Sequence, residues 1–109
     1  DRRLSPDVET AVYRIVQEAL TNVVRHAGVL RAILSVWASD RTLMFSVADG
    51  GRGFNMDAAM NAGAGGGLTG MRERARALGG SVTFETMPGA GTAVIAELPI
   101  SHGAVTAME

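Results

Sequence analysis

The sequence predicts an α+β fold, a two-layer sandwich with helices packed on one face of a mixed, mainly antiparallel sheet. Three observations carry this expectation: one long helical period near the start, four short β-branched-rich runs arranged as two pairs, and glycines crowded into the joints between them. A length of 109 residues suits one domain with one core. A composition of 47% hydrophobic and 19% charged residues is that of a globular chain. The expected organisation is a single domain over residues 1–100, followed by a tail, 101–109, that reads as disordered.

The elements follow in order. Ser5-Pro6 is a helix-start signal, with Ser as N-cap, Pro in the first turn, and Asp7 and Glu9 against the positive end of the dipole. Val8, Ala11, Val12, Ile15, Val16, Ala19, Leu20 and Val23 then recur at helical spacing, and Gly28 stands where a C-cap would. A helix over about 6–27 results. Residues 31–38 and 42–48 are rich in β-branched and aromatic side chains, and the short link Ser39-Asp40-Arg41 makes them a hairpin. Residues 49–67 read as a long loop, a length that in a compact domain points to function. A second helix fits about 68–78 with Gly79 as its stop. Two further strands, 81–86 and 92–98, are joined by the tight turn Met87-Pro88-Gly89-Ala90-Gly91, and Pro99 ends the last.

Composition narrows the function. A formal net charge of −1 argues against nucleic acid or an anionic membrane as the main partner. The absence of Cys removes disulfides, thiolate nucleophiles and zinc-thiolate sites, and suits a reducing compartment. No apolar run approaches a membrane span. The opening D-R-R-L-S-P, without Met, reads as part of something longer.

Four features carry chemistry. At about 100° per residue, Asn22 and His26 project into the apolar stripe of the first helix, with Glu18 and Arg25 on its edge. Burying such groups without partners costs about 1–3 kcal/mol or more. Either a buried hydrogen-bond network or a cation site accounts for the column, since an amide oxygen and a carboxylate are hard donors suited to Mg²⁺. Asp49 stands at a strand end before Gly50, Gly51, Arg52, Gly53 and Phe54. A carboxylate there is able to accept from an exocyclic amine such as adenine's while bare backbone closes over the base; alone, the pattern is also an ordinary turn. Gly65-Gly66-Gly67-Leu68 precede the second helix, where exposed N–H groups and the helix dipole suit phosphates, or a simple hinge. Gly89-Ala90-Gly91-Thr92 read as a hairpin turn.

Taken together, E-A-L-T-N-V-V-R-H-A, D-G-G-R-G-F, G-G-G-L-T-G-M-R-E-R-A and P-G-A-G-T, in this order and spacing, resemble the gyrase, heat-shock chaperone, histidine kinase and MutL superfamily. Within it the chain is similar to the catalytic ATPase domain of sensor histidine kinases paired with nitrate-regulator-type response regulators bearing a LuxR-like DNA-binding domain. The run from Gly70 to Thr92 carries that likeness, as does the short stretch between Gly53 and Gly65, which lacks a phenylalanine-containing box.

The resemblance covers about residues 5–99 and implies the superfamily's Bergerat fold, with ATP and Mg²⁺ as ligands. It implies that Asn22 coordinates Mg²⁺ and that Glu18 polarises the nucleophile. Arg25 then lies near the phosphates and His26 contacts the nucleotide. Asp49 binds the adenine amine with Thr92 in support, and Gly51 and Gly53 let the backbone pass base and ribose. Gly65, Gly67 and Leu68 close over the phosphates, while Phe54 reads as a core anchor.

The implied activity is phosphoryl transfer from ATP to a histidine on a separate dimerisation domain, with this domain monomeric by itself and cytoplasmic. Neither His26 nor His102 suits the acceptor, so the chain should bind ATP but barely phosphorylate itself. Two rivals remain: an anti-sigma-factor-type serine kinase of the same fold that phosphorylates a small antagonist protein, and a non-catalytic nucleotide-binding interaction module. The helix G-M-R-E-R-A-R-A-L-G-G argues against the first, and intact Glu18, Asn22 and Asp49 against the second.

Overall fold

The computed structural model describes residues 4–28, 31–61 and 66–100. The expected tail, 101–109, and His102 lie outside the described residues.

Helix α1 runs Pro6–Asn22 and starts as its cap residues dictate: the Ser5 hydroxyl accepts from the Val8 N–H at 3.3 Å. It passes directly into a π-helical turn, Val23–Ala27, and ends at Gly28 in the left-handed conformation with φ 76°. The helical span therefore matches 6–27, but its last turn is wound more widely than an α-helix. That winding offsets Arg25 from where regular α-helical spacing would put it.

Strands β1 (Ile33–Ala38) and β2 (Thr42–Asp49) form the expected hairpin, with Trp37 opposite Met44. Strands β3 (Ser81–Thr86) and β4 (Thr92–Pro99) form the second, with Phe84 opposite Val94. β2 and β4 pair antiparallel and join the hairpins into one sheet of order β1-β2-β4-β3. The sheet joined this way sets Asp49 opposite Thr92, so the end of β2 and the start of β4 meet at one end of the two central strands.

Two departures concern the segment 49–67. It contains a six-residue helix, α2 (Met56–Asn61), whose first turn is capped by Asn55: its Oδ1 accepts from the Ala58 N–H at 2.8 Å. Helix α3 spans Gly66–Ala77, beginning two residues before the expected Leu68. It stops at Gly79, φ 80°, as its glycine predicts.

The core lies between these layers. Val8, Ala11, Ile15 and Ala19 of α1, with Leu68, Met71 and Ala75 of α3, pack on Leu43, Phe45, Val47, Val82, Val94, Ala96 and Leu98 of the sheet. Ile15, Ala75 and Leu98 are completely buried. The helices stop short of β1. Leu34 and Val36 sit opposite buried Val47 and Phe45, on the helix-facing side, yet remain more than half exposed.

Candidate functional site

Two concavities border α1. The larger, a groove of about 730 Å³, lies between α1 and β1 and is walled by Val12, Val16, Leu20, Val24 and Leu34, with Arg25 its one charged residue. The smaller, about 450 Å³, has a size ordinary for a small-molecule site. It is the one of the two that gathers carboxylates, drawing Glu18, Asn22 and Arg25 from α1 and its π-helical turn, Asp49, Arg52, Gly53 and Phe54 from the end of β2 onward, Gly67 and Leu68 from α3, and Thr92 from β4. Its floor is apolar, formed by Ala19, Val23, Val47 and Val94.

Each wall has a local cause. Glu18 and Asn22 are one turn apart on α1, flanking buried Ala19, so one edge of the helix presents a carboxylate and an amide to the cleft. Both are half-buried, and no side chain that is both polar and buried occurs among the described residues. The polar column therefore opens onto a cavity. A buried network fixing α1 is not what the described residues form.

Asp49, also half-buried, folds its carboxylate back so that Oδ1 accepts from the Gly51 N–H at 2.8 Å. This local turn leaves the side chain on the cleft wall. Glycine is required at 53: φ is 61°, and a Cβ there would run into the carbonyl oxygens of Met87 and Gly91. The loop after β2 is thus threaded against the β3–β4 turn, and the Gly89 N–H donates to the Arg52 carbonyl at 2.6 Å.

Thr86 ties the same parts together. Its hydroxyl accepts from the Phe54 N–H at 3.0 Å, lies 3.1 Å from the Gly91 carbonyl and 2.9 Å from the Thr92 hydroxyl. One proton and two lone pairs satisfy this set when Thr86 donates to Gly91 and accepts from Phe54 and Thr92. Thr92 supports the loop after β2 through Thr86; the hydroxyl is bonded there, and its backbone lies opposite Asp49.

Of the residues expected at the site, Glu18, Asn22, Arg25, Asp49, Gly53, Gly67, Leu68 and Thr92 line this cleft. Gly51 does not line it; its N–H holds Asp49. His26 belongs to the π-helical turn, but its side chain lies outside the described residues, as does Gly65. Phe54 packs against the core and also lines the cleft. Sequence reasoning missed Arg52, which lines the cleft with its guanidinium over Gly28, where a Cβ would stand 2.8 Å from Nη2. It missed Thr86 as well. Nothing in the residue pattern marks either one.

No helix among the described residues is long and apolar enough to cross a membrane.

Among solved structures, the chain is similar to the histidine kinase domain from the Erythrobacter litoralis EL346 blue-light activated histidine kinase, with a TM-score of 0.73 and 27% identity over 94% of this chain and 50% of that one. It also resembles in fold the ATP binding domain of PrrB from Mycobacterium tuberculosis, with a TM-score of 0.68 and 24% identity over 84% of this chain and 68% of that one. The chain spans about half the length of the first relative. Residues 7–102 match the family described as histidine kinase-, DNA gyrase B-, and HSP90-like ATPase. The chain belongs to that family.

Proposed function

We propose that this chain binds Mg-ATP in the cleft between α1, the loop after β2 and α3, and donates the γ-phosphate to a histidine of a separate dimerisation domain in a two-component sensor kinase. One observation carries the reading: a single cleft of nucleotide-compatible size brings together the carboxylate of Asp49, the amide of Asn22, the carboxylate of Glu18 and the cation of Arg25 over an apolar floor. Asp49 accepts from the adenine amine at one end, and the base lies on Val47, Val94 and Phe54. The phosphates run toward Arg25 and the first turn of α3.

Mg²⁺ fits the donors at hand. No group of three or more His, Cys, Asp or Glu able to hold a metal occurs among the described residues. Mg²⁺ seldom uses an all-protein cage; it retains waters and shares itself with phosphates, so it would need only one protein oxygen here, that of Asn22. When bound, it neutralises charge on the β- and γ-phosphates.

In the transfer, the γ-phosphorus–oxygen bond to ADP breaks and a phosphorus–nitrogen bond to the acceptor imidazole forms. Glu18 takes the proton leaving that imidazole, and Arg25 offsets charge on the departing phosphate oxygens. The acceptor lies on the dimerisation domain, and the phosphoryl group passes on to a response regulator. The run from Gly70 to Thr92 supports the nitrate-regulator subgroup, and hence a regulator with a LuxR-like DNA-binding domain. The catalytic domain occupies residues 1–100, is monomeric alone, and works in the cytoplasm, where ATP is supplied.

Calorimetric titration with a non-hydrolysable ATP analogue tests the reading. Binding that Asp49→Asn abolishes, and whose Mg²⁺ dependence Asn22→Ala removes, supports the adenine and metal assignments. A folded chain with no affinity for the analogue overturns them.

A further inference from the structure

Gly67 is a glycine without a backbone reason. It is the second residue of α3 and its φ is not positive, so any residue fits its conformation. Within a helix, glycine is the least favourable residue short of proline. Gly70, three residues on, has open space around its Cβ position, with nothing within 4 Å. Gly67 differs: a Cβ there would collide with Oε2 of Glu18 and stand 2.8 Å from Cδ and 3.3 Å from Cγ. The three nearest atoms all belong to that one side chain.

We propose that Gly67 is a positioning residue whose missing side chain is the seat of the Glu18 carboxylate. The seat rests on the function proposed above and assigns Gly67 a role separate from contact with phosphates. The first turn of a helix leaves N–H groups without intrahelical partners and carries the positive end of the dipole, which favours a carboxylate resting against it. Seated there, Glu18 is drawn to the α3 side of the cleft. The space beside Asn22 and Arg25 is left for phosphates, and the carboxylate faces that space from a fixed direction. A side chain at 67 displaces the carboxylate into the cleft, where it competes for Arg25 and repels the nucleotide. The contact also links the helix bearing Glu18 to the helix that lines the other side of the cleft.

A double-mutant cycle on the full chain tests this, using Gly67→Ala in the parent and in the Glu18→Asp variant, whose carboxylate is one methylene shorter and no longer reaches the seat. Gly70→Ala serves as a control in the same helix. Affinity for a non-hydrolysable Mg-ATP analogue and the melting temperature of the nucleotide-free chain are both read. The expected result is an analogue affinity on the order of tenfold weaker for Gly67→Ala in the parent, and nearly unchanged by it in the Glu18→Asp background. Without nucleotide, Gly67→Ala should raise the melting temperature only in the Glu18→Asp background, whereas Gly70→Ala raises it in both. Equal effects of Gly67→Ala in the two backgrounds, in affinity or in melting, overturn the proposal. If the parent chain binds no analogue, the functional reading fails by itself, and the melting cycle still decides whether the seat exists.

Discussion

Thr86 holds more of the cleft together than its place at the end of β3 suggests. One hydroxyl joins the loop after β2, through Phe54, to the β3–β4 turn and to Thr92. Replacing it by the isosteric valine leaves the Phe54 N–H and the Thr92 hydroxyl without this partner in a half-buried setting. An unsatisfied group of that kind costs about 1–3 kcal/mol. Thr86→Val should therefore lower stability by that amount in urea unfolding and also weaken nucleotide binding, because the loop that follows Asp49 loses its anchor. Gly53→Ala should be at least as damaging. The positive φ alone costs about 1–2 kcal/mol for a residue with a Cβ, and the obstacles are backbone carbonyls that are unable to step aside. A loss of less than about 1 kcal/mol in the same assay would contradict this account of the loop. The contrast in legibility is physical. Asp49 and Asn22 stand out in the sequence because a carboxylate before glycines, or an amide within an apolar stripe, violates a local pattern. Thr86 violates none, since a threonine at a strand end is ordinary and its partner Phe54 lies 32 positions away. Arg52 is likewise one more cation in a polar loop until the fold carries it across to Gly28.

Among the elements, those with a repeating signal and a cap were readable, and those without were not. α1 has both: Ser5-Pro6 starts it and Gly28 ends it, although the π-helical winding of Val23–Ala27 leaves no trace in the pattern of apolar residues. The four strands were readable from β-branched runs and short turns. α2 was not, because six residues make less than two turns and show no period; only Asn55 as a cap hints at it. α3 starts two residues before the expected Leu68, a start the sequence hides because Gly66 and Gly67 have the lowest helix propensity short of proline. That propensity supplies a prediction. Gly70 has room for a Cβ and a helical backbone, so Gly70→Ala should stabilise the protein by up to about 1 kcal/mol, seen as a higher urea midpoint with an unchanged slope. Ser5→Ala should act oppositely, costing about 0.5–2 kcal/mol through the lost N-cap.

Across the whole molecule the apolar surface is unevenly covered. α1 and α3 close the core over β2, β3 and β4 but leave β1 with Ile33, Leu34, Val36 and Trp37 all more than half exposed, on both faces of the sheet edge. The cleft lies at the opposite side of α1 from that edge groove, and its walls come from α1, β2, the loop after β2, α3 and β4. These parts are joined in sequence only through connections that carry most of the glycines, so what holds the walls in place is the core beneath them and the Thr86 hub. A ligand that touches every wall binds the folded chain and has no counterpart in the unfolded one. At a free concentration about 100 times its dissociation constant, such a ligand stabilises the fold by about 2.7 kcal/mol. For a domain of this size that corresponds to a rise in melting temperature of roughly 10–20 °C. Mg-ATP analogue should produce that rise in the parent chain and none in Asp49→Asn at the same concentration. A nucleotide engaging one wall only, such as the Asp49 loop, would give a shift that Asn22→Ala and Glu18→Asp leave untouched, and the cleft would then not act as one site.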